Sequence, residues 1–467
     1  MDFFNDFISL ANNYLWGYVL IALLLILGLY FSIKTHLVQF THIKEMFRLI
    51  SDSEDKKNNK DGKVSSFQSF CISTASKVGT GNIAGVAIAV AIGGPGAVFW
   101  MWLIALVGAA SGFVECTLAQ IFKVKDGNAY RGGPAYYMEK ALNKRWLGII
   151  FSILITISFG LIFNAVQANT VTVAFDTAFG INRTVMGIVL VGLTTLVIFG
   201  GITRIARVSE VIVPFFAMAY IVVALLVVIL NFRAIPGILK LIIQNAFGFK
   251  SITVGGFTAT LMQGIKRGLF SNEAGMGSSP NAAAAAEASH PVEQGLVQTL
   301  GIFIATLVIC TCTAFIVLIP GAYADSALTG IELAQYALSS QIGAFGNYFI
   351  AFCIFLFSFS SIIGNYYYGQ SNIEFINTSK VSLNIYRFFV VAMVLFGSLV
   401  KVELVWNLAD LFMGLMAIIN LITITRIGKF AFLALNDYKA QKAKGIKKPV
   451  FKASSIPGLE NATEWSN

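Results

Sequence analysis

Charged residues are scarce in this sequence, and that scarcity excludes most soluble proteins. Only 12% of the 467 residues are charged, whereas 57% are hydrophobic, and the mean hydropathy is +0.76. An average soluble domain carries about 25% charged residues. The sequence therefore predicts an all-α integral membrane protein whose apolar runs cross a bilayer.

Histidine and cysteine are also few, with three and five residues. The histidines are scattered along the chain, and every cysteine lies in an apolar run, where a thiol acts as a small hydrophobic side chain. No nucleophile with a neighbouring base and no zinc spacing is visible. We therefore expect no enzymatic activity, no catalytic residues and no cofactor.

The positive net charge of +10 raises the alternative of a nucleic-acid partner. The Lys and Arg residues, however, lie mainly in the connections between apolar runs and in the tail. That distribution is typical of membrane topology, because cytoplasmic loops carry the excess of basic residues. With the N-terminus outside, the inner segments hold 25 Lys and Arg and the outer segments hold five. The sequence thus predicts a multi-pass protein of the inner (plasma) membrane with a cytoplasmic C-terminus and no nucleic-acid partner.

Apolar runs of about 20 residues predict eleven transmembrane helices. No small-residue cleavage site follows the first run, so we expect a retained helix and not a signal peptide. Residues 232–250 contain Arg233, Pro236 and Lys240 and are expected to form an interfacial helix. The predicted spans are residues 13–33, 66–92, 96–122, 146–175, 184–201, 208–231, 254–287, 292–319, 347–373, 384–400 and 404–425.

Two predicted spans are interrupted, one in each half of the chain. Gly79-Thr80-Gly81-Asn82 breaks the second span, and the sequence FSNEAGMGSSP, residues 270–280, breaks the seventh. Unpaired backbone groups at membrane depth are tolerated only where they line a cavity or bind a ligand. If the first helix is set aside, two sets of five helices remain, and each begins with a broken helix. That is the inverted-repeat arrangement of transporters.

This division predicts four segments of the chain. They are an N-terminal transmembrane helix with a cytoplasmic linker (1–64), a first five-helix repeat (65–231), a second five-helix repeat with the interfacial segment (232–425), and a basic cytoplasmic tail (426–467).

The first break offers groups that suit a substrate carboxylate. Half-helix N-termini present free N–H groups and a positive dipole end, and Asn82 adds a side-chain amide. Gly81 and Gly85 also fit the spacing of close helix packing. Packing needs only one face, so the consecutive Gly, Thr, Gly and Asn favour a cavity.

Carboxylates at membrane depth are costly and indicate function. Glu273, in the second break, is expected either to offset a substrate ammonium or a sodium ion, or to pair with Lys77, Lys266 or Arg267. Two further acids lie in predicted spans. Glu115 is expected to pair with loop cations, and no role is predicted for Asp410.

Further polar side chains lie in two unbroken spans. Asn164 and Gln167 are three residues apart, hence on one side of a helix, and could reach a central substrate. Ser358, Ser360 and Ser361 offer hydroxyl ligands for sodium, although a single serine in a membrane helix usually bonds its own backbone.

These segments closely resemble the alanine or glycine:cation symporter family of the amino acid–polyamine–organocation superfamily. The resemblance runs from about Ser65 to Arg426 and lies in GTGNIAGVA followed by GGPGA, in YRGGPAYYM, in FNAVQANT and in RGLFSNEAGMGSSPNAAAAAE. It implies a LeuT-type 5+5 inverted repeat with one extra N-terminal helix and two discontinuous helices. It also implies sodium-coupled import of a small neutral amino acid by alternating access.

The resemblance also assigns residues to two sites. Sodium would be held by the backbone of Ala75 and Val78 with Ser360 and Ser361. The implied substrate contacts are Thr80, Gly81, Asn82, Phe163, Gln167, Ser271, Asn272, Glu273, Gly275 and Met276.

Asn365 departs from the family pattern, in which alanine-selective members place a tryptophan. Replacing an indole by an amide enlarges the pocket and adds a donor and an acceptor. Asn365 is therefore a further candidate substrate contact, and glutamine joins alanine and glycine as a candidate substrate.

Two other interpretations stay open. A proton-coupled carrier could use Lys77 or Glu273, since a buried lysine or carboxyl group can exchange a proton near neutral pH. A channel or a non-transporting nutrient sensor is less favoured, because broken helices around a compact polar site argue against a continuous pore. No appended soluble domain is visible in the printed sequence.

Overall fold

The chain folds mainly as helices, as the apolar runs predict. The computed structural model describes residues 2–51, 64–127, 129–248, 256–325 and 327–465. A short antiparallel hairpin pairs Val124–Asp126 with Ala129–Arg131. Residues 52–63 of the predicted linker and the first residues of the seventh predicted span lie outside the described residues.

Within the described ranges, eight helices are long and apolar enough to cross a bilayer, and nine if one bent pair counts as a span. The bent pair is Ser66–Lys77 and Gly81–Gly93, which meet at 51°. These helices define a multi-pass membrane protein, whereas the total of eleven crossings stays a prediction. The eight are Phe7–Lys34, Ala97–Ile121, Arg145–Phe179, Arg204–Leu230, Pro291–Leu318, Phe345–Ile376, Lys380–Leu399 and Val402–Ile427.

Shorter helices connect or flank these spans. Ile235–Ala246 lies where the interfacial helix is predicted, and Gly256–Asn272 with Ser279–Ala285 forms the interrupted seventh span. The others are Val38–Thr41, Ile43–Ser51, Pro134–Leu142, Arg183–Ile198, Ala322–Asp325, Gly330–Ile342 and Lys429–Ala443, with 3₁₀ turns at Phe232–Ala234, Ala453–Ser455 and Thr463–Trp465.

One face of helix Arg204–Leu230 presents apolar side chains to the surroundings. Val211 and Phe215 are each 67% exposed and Ile229 is 66% exposed. An exposed apolar face of this length is stable against lipid and not against water. The helix therefore packs on the protein with one side and faces the bilayer with the other.

Both predicted interruptions are present. The first broken helix, Ser66–Lys77 with Gly81–Gly93, begins with a capping box made by Ser65 and Gln68. Its second part opens with a wide π turn at Gly81–Gly85. The second broken helix, Gly256–Asn272 with Ser279–Ala285, changes direction through left-handed φ values at Glu273 (58°), Gly275 (83°) and Gly277 (84°). The chain thus leaves helical geometry for a few residues at each break.

Small residues allow the helices around the second break to pack closely. On helix Ala97–Ile121, a Cβ at Gly108 would lie 3.2 Å from Ala274, and one at Gly112 would collide with Ile302. Such contacts are typical of membrane helix interfaces, where close approach of backbones provides the packing energy. They hold Ala97–Ile121 against the second break.

The predicted basic tail folds back onto one end of the molecule. Its helix Lys429–Ala443 is followed by an extended segment whose Phe451 N–H donates to Ser289 O at 3.0 Å. Near its end, Trp465 Nε1 donates to Gln120 O at 2.9 Å, and Asn461 Nδ2 donates to Lys140 O at 3.0 Å. The tail therefore joins three separate elements on that side of the protein.

Candidate substrate and ion site

At the first break, backbone N–H groups donate to amide side chains and not to helix carbonyl groups. Thr80 N–H donates to Gln167 Oε1 at 3.0 Å, and Gly79 N–H donates to Asn82 Oδ1 at 3.1 Å. The Thr80 and Ser358 hydroxyl oxygens are 3.1 Å apart. An amide oxygen and a carboxylate oxygen accept hydrogen bonds with similar geometry. The break can therefore exchange these amide acceptors for a substrate carboxylate, as the sequence predicts.

Asn82 also connects the first break to the second. Its Nδ2 donates to Ser271 Oγ at 3.0 Å and to Ala305 O at 2.9 Å, and it lies 3.4 Å from Cys310 Sγ. Ser271 Oγ lies 3.1 Å from the same sulfur. Asn82 and Ser271 are both fully buried. One predicted residue from each break thus shares a single hydrogen-bonded cluster.

Glu273 faces hydroxyl groups at the start of the second break. Its Oε1 accepts from Ser76 Oγ at 2.7 Å and its Oε2 accepts from Ser278 Oγ at 2.6 Å. Ser76 Oγ is also 2.7 Å from Asn365 Oδ1, while Asn365 Nδ2 has no hydrogen-bond partner in the described part of the chain. The residue preceding Glu273 in sequence, Asn272, accepts the N–H of Ala274 through its Oδ1 at 3.0 Å. A carboxylate and a free amide donor therefore meet between the two broken helices.

Two of the cations that the sequence offered as partners of Glu273 pair with another carboxylate, and the third, Lys77, attracts Glu273 electrostatically without contacting it. Lys266 Nζ and Arg267 Nη2 contact Asp410 Oδ2 at 3.1 and 2.6 Å. Lys77 is buried and donates to Ser73 Oγ at 3.0 Å, with no ion pair to a carboxylate of the described residues. The carboxylate of Glu273 is thus held by hydroxyl groups, an arrangement that leaves it available to an incoming cation.

Glu115 fixes the shape of the second break, which differs from the expected ion pair with loop cations. Its carboxylate accepts the N–H of Gly275 at 3.1 Å and that of Gly277 at 3.0 Å. Asn420 Nδ2 donates to Glu115 Oε2 at 2.6 Å and to Gly275 O at 2.9 Å. Met276 is fully buried, and its N–H donates to Glu273 O at 3.2 Å. Gly275 therefore bonds Glu115 and Asn420 through its backbone.

Three oxygen atoms converge where the resemblance implies a sodium site. Ser361 Oγ is 2.7 Å from Ala75 O and 3.4 Å from Val78 O, at the end of the first half-helix. Its neighbour Ser360 donates to Phe357 O of its own helix at 2.8 Å. Carbonyl and hydroxyl oxygens are the ligands that hard cations prefer. Both serines bond Phe357 O of their own helix, Ser361 at 3.0 Å, but of the two only Ser361 also reaches the carbonyl groups of the first break.

Aromatic rings cover the cluster on one side. Phe163 stacks on Phe270 with ring centroids 4.6 Å apart, and Phe270 packs on Trp406 at 4.8 Å. A Cβ at Gly81 would lie 2.6 Å from Phe270 Cδ1, so the ring lies directly against the first break. We call Phe163, Phe270 and Trp406 the aromatic layer.

Sequence reasoning missed several parts of this site. Ser76, Phe270 and Trp406 carry no signal that separates them from other serines and aromatic residues of membrane helices. The three π turns at Gly81–Gly85, Thr156–Phe163 and Ile304–Cys310, which contribute Asn82, Phe163 and Cys310 to the site, were also missed. Wide turns are frequent at functional sites, but Thr156–Phe163 and Ile304–Cys310 have sequences of ordinary apolar helix, and at Gly81–Gly85 the sequence shows an interruption without indicating a wide turn.

The fold and the buried site together define a helical membrane transporter. The sequence profile of the Sodium:alanine symporter family matches residues 1–453. The chain therefore belongs to that family, as the quoted motifs predict, and it is a transporter and not an enzyme.

Named relatives align over nearly the whole chain. The chain is 54% identical to the amino-acid carrier protein AlsT of Bacillus subtilis (strain 168), covering 100% of this chain and 98% of the relative. It is also 54% identical to the probable sodium/glutamine symporter GlnT of the same organism, covering 95% and 92%. The sodium/alanine symporter AgcS of Methanococcus maripaludis is 36% identical, covering 94% and 99%.

A solved structure resembles this fold at low sequence identity. The manganese transporter of Eremococcus coleocola matches with a TM-score of 0.52 at 15% identity, covering 83% of this chain and 82% of that one. At this identity the likeness extends to the fold of a membrane transporter and not to its cargo.

Proposed function

We propose that the protein is a sodium-coupled symporter that imports a small neutral amino acid by alternating access. The observation that carries the proposal is the convergence of Ala75 O, Val78 O and Ser361 Oγ beside the free backbone of the first break. Sodium bound there orders the residues that follow, which include Thr80, Gly81 and Asn82, the predicted carboxylate contacts. Each ligand then favours binding of the other, and the coupling is equal in both directions.

In this mechanism the amino acid lies between the two breaks. Its carboxylate replaces the amide oxygens of Gln167 and Asn82 at the N–H groups of Thr80 and Gly79. Its ammonium group faces the Glu273 carboxylate, which accepts hydrogen bonds from Ser76 and Ser278. The aromatic layer closes one side. Each charge of the zwitterion is thereby matched by groups of a different break.

We propose that the substrate is alanine, glycine or glutamine, and Asn365 favours the larger polar substrate. Its Nδ2 is buried without a partner in the described part of the chain, and such a donor is costly until a ligand accepts from it. The side-chain carbonyl of glutamine supplies that acceptor. One relative is named a probable sodium/glutamine symporter and another a sodium/alanine symporter.

Alternating access follows in this proposal from a 5+5 inverted repeat preceded by one extra helix. The two broken helices support the pairing, because each leaves helical geometry within a span and both contribute to one buried cluster. The excess of Lys and Arg supports an N-terminus outside and a cytoplasmic C-terminus in the inner membrane. Low cytoplasmic sodium then promotes release on the inner side.

Uptake into proteoliposomes tests the proposal. Labelled alanine, glycine and glutamine are offered with an inward sodium gradient, and again with potassium in place of sodium. We expect sodium-dependent uptake of at least one of them, and a preference for glutamine over alanine if Asn365 sets selectivity. In that case Asn365→Trp should reduce glutamine uptake more than alanine uptake. Uptake that is indifferent to sodium would overturn the coupling assignment.

A matched pair of serines sharpens the sodium test. Both hydroxyl groups bond Phe357 O, but Ser361→Ala also removes the contacts with Ala75 and Val78, whereas Ser360→Ala removes only the bond within its own helix. We expect the sodium concentration for half-maximal uptake to rise about tenfold in Ser361→Ala, because a ligand to a charged group is lost, and to change less in Ser360→Ala. Equal shifts would remove Ser361 from the site.

A second candidate is a proton-coupled carrier. It is favoured by Lys77, which is buried and bonded to Ser73 without an ion pair to a described carboxylate. Uptake driven by an inward pH gradient in sodium-free buffer, and lost in Lys77→Met, supports this candidate against the first.

A further inference from the structure

A cavity lies on the far side of the aromatic layer from the central cluster. Its volume is about 400 Å³, and it is bordered by both broken helices and by helix Val402–Ile427. We call it the vestibule, and its principal lining residues are Ile88, Gln263, Lys266, Arg267, Trp406 and Asp410. A cavity of this volume is at the small end of the range for ligand sites, about 300–1,000 Å³, and admits a single amino acid.

The vestibule holds more positive than negative buried charge. Lys266 and Arg267 both contact the same atom, Asp410 Oδ2, and the three side chains are at most 9% exposed. A fourth titratable group, Glu403, lines the cavity but is exposed to the surroundings. One buried carboxylate oxygen thus contacts two buried basic side chains, and an acidic group of a ligand would give these two side chains a second partner.

Several atoms of this cluster lack hydrogen-bond partners. Arg267 Nε and Nη1 and Asp410 Oδ1 are buried without any partner in the described ranges. Arg267 lies over the Trp406 ring at 4.6 Å, and Lys266 lies over the Trp16 ring at 5.5 Å. Aromatic faces stabilise the positive charge but accept no directed hydrogen bond from the remaining N–H groups. The free groups are two donors and one carboxylate oxygen, which is the complement of a zwitterion.

The vestibule is also connected to the central site by shared residues. Trp406 lines the cavity and belongs to the aromatic layer, and Arg267 precedes Phe270 by three residues on the same helix. A group that draws Arg267 away from Asp410 therefore acts on the helix that carries Phe270. The ion pair joins this helix to Val402–Ile427, and the contact of Phe270 with Trp406 joins the same two helices.

We propose that the vestibule is a second, transient binding site for the zwitterionic amino acid that the central site transports. The carboxylate contacts Lys266 and the free N–H groups of Arg267, and the ammonium group faces Asp410 Oδ1 and Glu403. This inference rests on the proposed function for its ligand. It adds a site whose charged residues the central site does not use, with Trp406 shared between the two.

Tryptophan fluorescence of the purified protein tests the vestibule without transport. Alanine and glutamine are titrated in sodium-free potassium buffer, with potassium acetate as an anion of similar size that lacks an ammonium group. We expect a saturable change with either amino acid, because Trp406 and Trp16 border the basic pair. The change should persist in Asn82→Ala, which disables the central site. An equal response to acetate shows an anion site only and overturns the amino-acid assignment.

Substitutions of lysine residues show which part of the protein produces the fluorescence response. Lys266→Met should weaken the apparent affinity about tenfold, since a charge-assisted contact is lost, whereas Lys266→Arg should retain most of it. Lys240→Met removes an exposed lysine from helix Ile235–Ala246 and should leave the response unchanged. Elution as a single species in size-exclusion chromatography confirms that each variant is folded. A response that is the same in Lys266→Met and the parent protein contradicts the proposal.

Uptake separates this inference from the proposed function. In proteoliposomes Lys266→Met should raise KM for the amino acid while kcat changes less, because the central site is intact. If the parent protein shows no sodium-dependent uptake but retains the fluorescence response, the proposed function is wrong and the vestibule stands. If the parent transports with sodium but shows no response, the vestibule is wrong and the function stands.

Discussion

Asn82 forms side-chain hydrogen bonds with residues of both broken helices. Its amide donates to Ser271 and Ala305, and its Oδ1 accepts the N–H of Gly79. We therefore expect Asn82→Ala to abolish amino-acid uptake while expression continues, because three buried hydrogen bonds are lost at once. Initial uptake rates in proteoliposomes, normalised to the amount of reconstituted protein, measure the effect.

Asn231→Ala provides the matched control for this substitution. Asn231 Nδ2 bonds Val227 O of its own helix, away from both breaks. Its loss should leave uptake close to that of the parent protein. Normal uptake in Asn82→Ala would remove the first break from the substrate site.

At this scale the sequence predicts the polar residues that stand out against an apolar background, and it misses those that do not. Asn82, Gln167 and Glu273 are exceptional at membrane depth, and all three lie in the buried cluster. Ser76 is as polar as Ser73, and only the fold shows which one faces Glu273. Adjacent residues on a helix point about 100° apart, so the sequence alone does not separate Ser360 from Ser361.

The second break is an element held in a strained path by a carboxylate. Glu115 accepts from the N–H groups of Gly275 and Gly277, which both have left-handed φ values. Glu115→Gln keeps the size but replaces one acceptor oxygen by an NH₂ group that faces an N–H donor. We expect the variant to lose about 2–3 kcal/mol of stability, since hydrogen bonds to a charged group are lost and a buried donor is left unpaired. Thermal unfolding of the purified protein measures the loss.

Glu139→Gln is the comparison for the Glu115 variant. Glu139 lies on a short surface helix and pairs with Arg145, whose side chain is 54% exposed. Pairs of this kind contribute about 0–1 kcal/mol. An unfolding temperature for Glu115→Gln no lower than that of Glu139→Gln would show that the carboxylate does not hold the break.

Both interruptions follow from the sequence, because glycine and polar residues cannot continue an apolar helix without leaving a signal. The contact that holds the second interruption in place does not follow from the sequence. Glu115 lies in the third predicted span, far from Gly275 in sequence, and the pairing needs the close contact of Gly108 with Ala274 that only packing provides. The π turns at Thr156–Phe163 and Ile304–Cys310 are not predictable for a different reason, since they insert one residue per turn into sequences that suit an ordinary helix.

Across the whole molecule, the tail is coupled to the start of helix Pro291–Phe303 through His290. The imidazole Nδ1 accepts the Val292 N–H at 3.2 Å, and Nε2 lies 3.2 Å from Asp437 Oδ2 on the tail helix. Burial lowers the pKa of His290 from 6.5 to about 4, although Asp437 opposes the shift. The neutral ring uses both nitrogens, and protonation removes the acceptor that bonds Val292.

The lowered pKa of His290 determines the direction in which stability changes with pH. Between pH 6.5 and about 4 the unfolded chain binds a proton at His290 that the folded chain does not. Stability from this group is therefore present above pH 6.5 and is lost as the pH falls toward 4, by up to about 3 kcal/mol. We expect the melting temperature of the parent protein to fall more steeply over this interval than that of His290→Gln.

His36→Gln serves as the reference, because His36 is exposed at the end of the first span. Its pH profile should follow that of the parent protein. Coincident profiles for His290→Gln and the parent would exclude His290 as a source of the pH dependence.

The thiol of Cys310 can report whether the central cluster is open to water. Its sulfur lies 3.4 Å from Asn82 Nδ2 and 3.1 Å from Ser271 Oγ, and the residue is 2% exposed. A thiol reagent reaches it only when the site opens to water. We expect maleimide labelling of Cys310 to slow when sodium and substrate close the site, as followed by mass spectrometry, and Cys310→Ser to remove the protected signal. A labelling rate unaffected by both ligands would contradict this. The unmodified chain thus carries a native chemical label that reports occupancy without an engineered probe.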